Sequence, residues 1–265
     1  ALATAIYGEQ LGFEVHILHV PQPPTAHVRD NLLALSATEA HLQLAAPPWR
    51  APAALARLLA APLRRWGPRL VQAVPVGGSS VAGVVGMASA AFELAAQIRR
   101  GEMPMPARLY VAAGSAGTFA GLWLGCKLAR LPIEVIGVRV ADWPGGTAPL
   151  AARLIARTSA TLHRACPELP RVRPAPWHLH FQHTQVGSGY GATTPAAERA
   201  AERFAARGLR LDPTYTSKVA AAVLDDLQDT AHRPPGPALI WHTLPAGAPA
   251  ELLTRARPGR LPAAY

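Results

Sequence analysis

The chain is poor in cysteine and lysine, and each shortage narrows what the protein can be. Cys126 and Cys166 are the only cysteines among 265 residues, which is too few for a small domain held by a disulfide framework. Lys127 and Lys218 are the only lysines, whereas 24 residues are arginine. Any reaction that needs a lysine side chain therefore has two candidates in this chain.

Acidic residues are also scarce, so the chain carries a formal charge of +10. A nucleic-acid-binding surface would cluster its cations on one face and interleave aromatic side chains for stacking. The arginines are instead scattered, and the tightest groups are the pairs Arg64-Arg65 and Arg99-Arg100. We therefore expect no nucleic-acid partner.

Long unbroken hydrophobic runs are absent as well. The two uncharged stretches, Leu70–Phe92 and Leu109–Cys126, approach the length of a membrane span. Glycine and serine interrupt both of them, which favours a buried strand, a glycine loop and a helix in each. No secretory signal is visible, so we expect a cytoplasmic protein without a membrane partner. An apolar fraction of 50% excludes intrinsic disorder.

Strand-like apolar runs alternate with helical patterns, which predicts an α/β protein with mostly parallel sheets and helices on both faces. The predicted strands are Glu14–Val20, His41–Leu44, Leu70–Val76, Arg108–Ala113, Ile133–Val140, Trp177–Phe181 and Ala238–Thr243. The predicted helices are Ala1–Gly12, Val28–Leu35, Pro52–Arg65, Val81–Arg100, Phe119–Arg130, Leu150–Arg164, Pro195–Arg207 and Thr216–Leu227.

Two lobes are expected, with residues 1–80 in a small lobe and residues 81–265 in a larger one. In parallel sheets ligands bind beyond the carboxyl ends of the strands. The candidate binding loops are therefore Gly77–Ser80, Gly114–Thr118 and Thr243–Gly247.

The second of these loops has the chemistry of an anion site. Its residues are Gly114, Ser115, Ala116, Gly117 and Thr118. The first N–H groups of the following helix would have no intrahelical acceptor, and the helix dipole would add positive charge there. The small residues would let an anion approach the backbone closely, and the hydroxyls of Ser115 and Thr118 would add hydrogen-bond donors. An ordinary tight turn between a strand and a helix is the alternative, and the pattern alone does not decide between them.

Other nucleotide and catalytic motifs fit the same loop poorly. A P-loop needs a lysine that the loop lacks, and a nucleophile elbow needs glycine where Ala113 stands. The glycines at 114, 117 and 121 also depart from the dinucleotide fingerprint. Asp142, just past the next strand, could still serve as a ribose-binding acid. A Rossmann-type NAD(P) oxidoreductase therefore remains an alternative.

Five segments occur in a distinctive order through nearly the whole chain. They are Val74-Pro75-Val76-Gly77-Gly78-Ser79-Ser80, Gly114–Thr118 with Ala120-Gly121-Leu122, Gly189-Tyr190-Gly191, Leu211–Lys218, and Trp241-His242-Thr243. Together and in this order they resemble the signatures of D-cysteine desulfhydrases and 1-aminocyclopropane-1-carboxylate deaminases. One such motif would be weak evidence, whereas the ordered set is specific.

The resemblance implies the two-lobed tryptophan-synthase-β-like fold and pyridoxal 5′-phosphate (PLP) as the cofactor. It implies that the Gly114–Thr118 loop holds the PLP phosphate and that Thr243 lies beside the pyridine nitrogen. Tyr190 and Tyr215 match two active-site tyrosines of the family, which can shuttle protons or hold the substrate carboxylate. The family also implies a homodimer that acts on a small amino acid.

The resemblance favours one branch of the family. Thr216 and Thr243 stand where the deaminases tend to carry glutamate and leucine. The implied reaction is therefore α,β-elimination from D-cysteine, which gives pyruvate, ammonia and sulfide. Ring-opening deamination of 1-aminocyclopropane-1-carboxylate is the alternative. Leu244-Pro245 departs from the family pattern, so the identity of the substrate stays undecided.

In this family, the lysine that binds PLP covalently lies upstream of the first helix found here. Lys218 matches a different motif lysine, and Lys127 falls on the helix after the phosphate loop. We therefore expect that this chain lacks its N-terminal part and is inactive alone, whereas the intact protein is an enzyme. A degenerate, non-catalytic relative is the remaining alternative.

A histidine pattern and a serine pair are weaker signals. His178, His180 and His183 could bind zinc or nickel from one strand edge, but no nearby cysteine or acid completes the set, so we predict no metal site. Ser79 and Ser80 have no identifiable base, so we predict that they form a turn.

Overall fold

The computed structural model describes residues 1–21, 25–142, 146–243 and 247–262. Within them the predicted alternation of helices and strands is confirmed. The helices are α1 (Leu2–Gln10), α2 (Ala26–Ser36), α3 (Ala51–Trp66), α4 (Val81–Arg99), α5 (Gly117–Leu128), α6 (Ala148–Ala165), α7 (Pro195–Ala205), α8 (Thr216–Gln228) and α9 (Ala250–Thr254). The strands are β1 (His16–His19), β2 (His41–Leu44), β3 (Arg108–Ala113), β4 (Glu134–Arg139), β5 (His180–Gln182) and β6 (Ala238–Ile240).

The chain divides into two compact units, which differ from the lobes predicted at residue 80. One unit is Ala1–Ala73 with Pro245–Tyr265, and the other is Val74–Leu244. The C-terminal segment, predicted to belong to the larger lobe, hydrogen-bonds to the end of α2 and the turn after it. The backbone N–H of Arg257 donates to Ser36 Oγ at 2.8 Å, and the Arg260 guanidinium donates to the Thr38 carbonyl.

The first unit is built on a short parallel sheet. Strands β1 and β2 pair in parallel, with His16 opposite His41. Its core consists of Ala5 of α1, Ile17 of β1, Leu35 of α2 and Ala40, the residue just before β2. Two strands alone would be marginal, so the packed helices supply most of the stabilising apolar contact.

The second unit contains a parallel sheet in the order β5-β4-β3-β6. Side chains alternate along β3, so that Leu109 and Val111 face the core formed with α4, α5 and α6. Tyr110 faces the opposite side and packs with Val219 of α8. Helices therefore cover both faces of this sheet, as predicted. Because all the strands run in one direction, the described residues that directly follow β3, β4 and β6 lie along one edge.

The predicted strand Leu70–Val76 is wrong. It forms no strand pairing within the described ranges, and Leu70, Val74 and Val76 are 72%, 63% and 65% exposed. An apolar run becomes a strand only where a neighbouring strand satisfies its backbone groups. Pro75 additionally lacks the N–H group that a ladder requires.

Helix α4 is long and apolar enough to cross a membrane by length and composition. In this unit it packs closely against α5. A Cβ atom at Gly121 would lie 2.7 Å from the Val84 carbonyl oxygen, and one at Gly125 would lie 2.6 Å from the Ala88 carbonyl oxygen. The core helix of a globular domain passes the same test, so composition alone does not place α4 in a membrane.

Candidate active site

The loop between β3 and α5 leaves a helix N-terminus without a side-chain cap. Helix α5 begins at Gly117, earlier than the predicted Phe119, and its N-cap residue Ala116 accepts no hydrogen bond through its side chain. Ala116 adopts the left-handed conformation, with a φ of 63°. The N–H groups of the first turn have no intrahelical acceptor and lie at the positive end of the helix dipole. They remain available to an anion, and the loop therefore fits a phosphate group.

A second loop, just before α4, packs directly against the first. The Ser79 hydroxyl donates a hydrogen bond to Ser115 Oγ at 2.6 Å, which leaves the Ser115 proton free to be donated to a bound anion. A Cβ atom at Gly117 would lie 2.6 Å from Ser79 Oγ, and one at Gly77 would collide with the Ser115 side chain. The two loops come this close because both positions are glycine.

Ser79 lies in a loop that the sequence predicted as a candidate binding loop, but its side chain was assigned only to a turn, and its contact with Ser115 was not foreseen. Its signal was the Gly-Gly-Ser-Ser run, but the partner Ser115 is distant in sequence. The neighbouring Ser80 has a structural role, because it is the N-cap of α4 and its Oγ accepts the N–H of Gly83 at 3.2 Å.

The two predicted tyrosines lie together beside the first loop. Their hydroxyl oxygens, on Tyr190 and Tyr215, are 2.5 Å apart. The rings meet edge to face, with centroids 6.2 Å apart. A Cβ atom at Gly114 would lie 3.7 Å from Tyr215 Cε1. The structure thus brings Tyr215 close to the predicted phosphate loop.

Asp212 holds Tyr215 in place, a role that the sequence-based prediction also missed. Its carboxylate accepts the N–H groups of Thr214, Tyr215 and Thr216 at 3.0, 2.7 and 2.9 Å, and the Thr216 hydroxyl at 2.6 Å. An aspartate just before a helix is the sequence signal for such a turn. These four bonds fix the backbone on which α8 begins.

Burial raises the pKa of Tyr215, and the neighbouring Tyr190 and Asp212 raise that pKa further. The phenol therefore stays protonated at neutral pH. Tyr215 is therefore a neutral hydroxyl donor, and the hydroxyl oxygen of Tyr190 lies 2.5 Å from its own.

We expect two phenols, those of Tyr110 and Tyr215, to ionise last in an alkaline titration. Burial raises the pKa of both, and Asp226, which accepts the Tyr110 hydroxyl at 2.7 Å, raises that of Tyr110 further. Each folded pKa exceeds the unfolded value of about 10. Their contribution to the unfolding free energy is therefore complete below about pH 10 and is lost as the pH rises through the folded pKa. Phenolate absorbance measures the titration. The absorbance change at the highest pH values should halve in Tyr215→Phe. An unchanged amplitude there would contradict the assignment of that change to Tyr110 and Tyr215.

Thr243 lies at the same edge of the sheet as the loop. It follows β6, which pairs in parallel with β3, and the N–H of Trp241 donates to the Tyr110 carbonyl at 2.8 Å beyond the last β6 residue. Thr243 is exposed, so its hydroxyl is accessible from this edge. The departure Leu244-Pro245 lies outside the described residues.

The two lysines have different surroundings. Lys218 is 0% exposed, and its ammonium donates to the carbonyl oxygens of Val186 at 3.0 Å and Val140 at 3.3 Å. Desolvation lowers its pKa. Lys127 is exposed on α5, with Nζ 5.5 Å from the centre of the Trp123 ring.

The structure separates two histidines of the H-x-H-x-x-H pattern. His180 pairs through Nδ1 with Glu134 at the start of β4, whereas His183 contacts Arg139 at the end of that strand, at 3.3 Å. In the described ranges none of the three pattern histidines belongs to a group of three metal-ligating side chains.

Comparison with known proteins identifies the family. A family model described as "Pyridoxal-phosphate dependent enzyme" matches residues 1–243. The chain is 32% identical to nocardicin C-9′ epimerase of Nocardia uniformis subsp. tsuyamanensis over 248 residues, which covers 91% of this chain and 71% of that protein. It is 33% identical to D-cysteine desulfhydrase of Salmonella paratyphi B over 178 residues, 67% of this chain and 50% of the relative. The chain thus spans about half the length of the desulfhydrases it matches.

Solved structures show the same fold. An ACC deaminase homologue superposes with a TM-score of 0.73 at 22% identity, covering 96% of this chain and 74% of that chain. A fungal L-serine ammonia-lyase from Rhizomucor miehei superposes with a TM-score of 0.52 at 18% identity, covering 95% of this chain and 76% of that chain. The predicted tryptophan-synthase-β-like fold and the PLP cofactor are both confirmed. This chain belongs to the family of pyridoxal-phosphate dependent enzymes.

Proposed function

We propose that the natural protein eliminates sulfide from D-cysteine or a closely similar small amino acid. The observation that carries this proposal is the pair of hydroxyls on Tyr190 and Tyr215, 2.5 Å apart, beside the uncapped N-terminus of α5. The similarity to D-cysteine desulfhydrases supports it.

The β3–α5 loop would hold the phosphate of PLP. The first-turn N–H groups of α5 and the Ser115 hydroxyl, oriented by Ser79, are the donors for this role. Each hydrogen bond to a charged phosphate contributes about 1.5–3 kcal/mol. When bound, PLP supplies the electron withdrawal that makes the substrate α-proton acidic. If Thr243 lies beside the ring nitrogen, its neutral hydroxyl would not force protonation of that nitrogen, which would favour elimination over transamination.

The tyrosine pair would move the proton that the leaving group needs. Tyr215 is protonated at neutral pH, because the ordinary pKa of a phenol is about 10 and burial raises that of Tyr215 further, and its Oη–H can be donated to the sulfur that departs. Tyr190 is 39% exposed, so it can pass a replacement proton from solvent across their hydrogen bond. A positioned acid of this kind contributes about 10²–10⁴-fold to the rate.

We expect Tyr215→Phe to lower kcat for release of sulfide and pyruvate from D-cysteine by about 10²–10⁴-fold in the natural protein. The ring remains, so folding and PLP binding should persist. Tyr7→Phe is the control, because Tyr7 is 64% exposed in the other unit. Unchanged kcat in Tyr215→Phe would refute the proton role. Consumption of 1-aminocyclopropane-1-carboxylate, with D-cysteine inert, would instead establish the deaminase alternative.

Epimerisation is a second candidate, favoured by the similarity to nocardicin C-9′ epimerase over 91% of this chain. An epimerase would exchange the α-hydrogen of its substrate with solvent and invert the carbon without releasing a keto acid. Incubation of both enantiomers of a small amino acid in deuterated water separates the two candidates. Inversion without pyruvate would favour the epimerase.

We also propose that the 265-residue chain alone does not bind PLP covalently. Its two lysines are poorly suited, because Lys218 is enclosed and bonded to two carbonyls whereas Lys127 lies exposed beside Trp123. We expect that borohydride reduction with PLP, followed by digestion and mass spectrometry, will give no pyridoxyl adduct at either lysine. A stoichiometric adduct at one of them would overturn this proposal.

The homodimer implied by the resemblance also remains a proposal. Light scattering of the natural protein measures its mass and tests this directly.

A further inference from the structure

Three side chains with metal-ligating atoms meet at the start of the two-stranded sheet of the first unit. They are Glu14, His16 and His41, and their ligand atoms all lie within 4.8 Å of one another. None of them belongs to the motifs that led to the PLP proposal. What brings them together is the geometry of the sheet.

Strand periodicity and register place all three on one face. Glu14 precedes His16 by two residues, and side chains at i and i+2 of an extended chain point to the same side. His16 and His41 are direct partners in the parallel β1–β2 pairing. Their rings stack with centroids 4.6 Å apart and planes inclined by 20°.

The distances suit a tetrahedral metal centre. Metal–nitrogen and metal–oxygen bonds of about 2.0–2.2 Å place neighbouring ligand atoms roughly 3.4 Å apart. Glu14 Oε1 lies 2.8 Å from His16 Nε2 and 3.8 Å from His41 Nε2, which brackets that spacing. Small side-chain rotations would equalise the two distances around one ion.

The second oxygen of Glu14 is held by groups outside the cluster. Trp66 Nε1 donates to Oε2 at 3.4 Å, and Arg65 Nη1 lies 3.7 Å from the same oxygen. These contacts aim Oε1 at the histidines, as outer-shell partners do in metal sites.

We propose that Glu14, His16 and His41 bind a divalent transition-metal ion, with Zn²⁺ the foremost candidate and water in the fourth position. Two imidazoles with one carboxylate suit zinc, nickel or copper rather than magnesium or calcium. Side-chain exposures of 36% for Glu14, 22% for His16 and 59% for His41 leave the ion accessible from solvent. A bound ion would join the first residues of β1 and β2 and so stabilise their pairing.

Zinc affinity of the chain, prepared without a polyhistidine tag, tests this proposal. Competition with a chromophoric zinc chelator should show one site whose affinity falls at least tenfold in His41→Ala and in Glu14→Gln. Zinc should also raise the thermal midpoint of the wild-type chain but not that of His41→Ala. Both replacements are at exposed positions, and circular dichroism checks that each variant is folded.

His232→Ala is the matched control. His232 Nδ1 lies 2.7 Å from an Asp229 oxygen, which is a comparable exposed pair without a third ligand among the described residues. Its replacement should leave zinc affinity unchanged. Equal zinc affinity in the wild-type chain and His41→Ala would overturn the proposal, whatever the outcome for PLP.

Discussion

Gly117→Ala should weaken PLP binding by at least tenfold. The added Cβ would lie 2.6 Å from Ser79 Oγ and 3.2 Å from Ser79 Cα, so the two loops must separate. That displacement moves the Ser115 hydroxyl and the first N–H groups of α5 away from the phosphate. Loss of a single charge-assisted bond worth about 1.5–3 kcal/mol corresponds to roughly 10–100-fold in affinity.

Gly86→Ala is the matched control for this variant. Gly86 also lies in a helix, but a Cβ there meets nothing within 4 Å. Calorimetric titration with PLP compares the two variants, and circular dichroism checks their folding. If Gly117→Ala binds PLP as tightly as Gly86→Ala does, the contact between the loops has no role in cofactor binding.

Lys218→Met should lower the unfolding free energy by about 2–4 kcal/mol. The methionine fills most of the volume but leaves the carbonyls of Val140 and Val186 without their donor. An unsatisfied buried polar group costs about 1–3 kcal/mol, and relief of the buried charge offsets part of that cost. Lys127→Met, at an exposed position, should change stability by less than about 0.5 kcal/mol.

The effect of Lys218→Met should grow with pH. Desolvation lowers the folded pKa of Lys218 below that of the unfolded chain, so the unfolded state binds more protons between the two values. The contribution of Lys218 to stability therefore rises as the pH increases toward about 10.5. Urea unfolding of both proteins at neutral and alkaline pH measures the difference. A variant as stable as the wild type at both pH values would show that the two carbonyl contacts contribute nothing.

The loss of Lys218 should also loosen the segment that carries Tyr190. Val186 lies in that segment, and Val140 follows β4, so the hydrogen bonds of the Lys218 ammonium link the segment to the end of β4. Gln185 adds a second tie, since it donates to Asp225 at 3.0 Å and accepts the Thr194 hydroxyl at 2.8 Å. Lys218 is thus a positioning residue for the tyrosine pair.

Local pattern was enough to predict most of the fold and the position of the β3–α5 loop, whereas the phosphate role proposed for that loop rests on the family resemblance. Strand, glycine loop and helix follow one another between Arg108 and Leu128, and a parallel sheet places such loops at one edge. The segment Leu70–Val76 shows the limit of prediction from local pattern, because a strand forms only beside a partner strand, which the apolar run itself does not specify.

The finer features of the site depend on contacts between residues distant in sequence. Ser79 meets Ser115, and Lys218 reaches Val140 and Val186 only after the sheet and α8 have packed. Asp212 is the exception, since its capping pattern is local. The cluster of Glu14, His16 and His41 likewise required the register of β1 against β2.

The most direct test of the phosphate site compares PLP with pyridoxal, which lacks the phosphate. Calorimetric titration of the wild-type chain should give at least hundredfold tighter binding of PLP, and inorganic phosphate should compete with it. This corresponds to about 2.8 kcal/mol for the phosphate contacts, within the range of one or two charge-assisted bonds. Equal dissociation constants for PLP and pyridoxal would contradict the assignment of the β3–α5 loop.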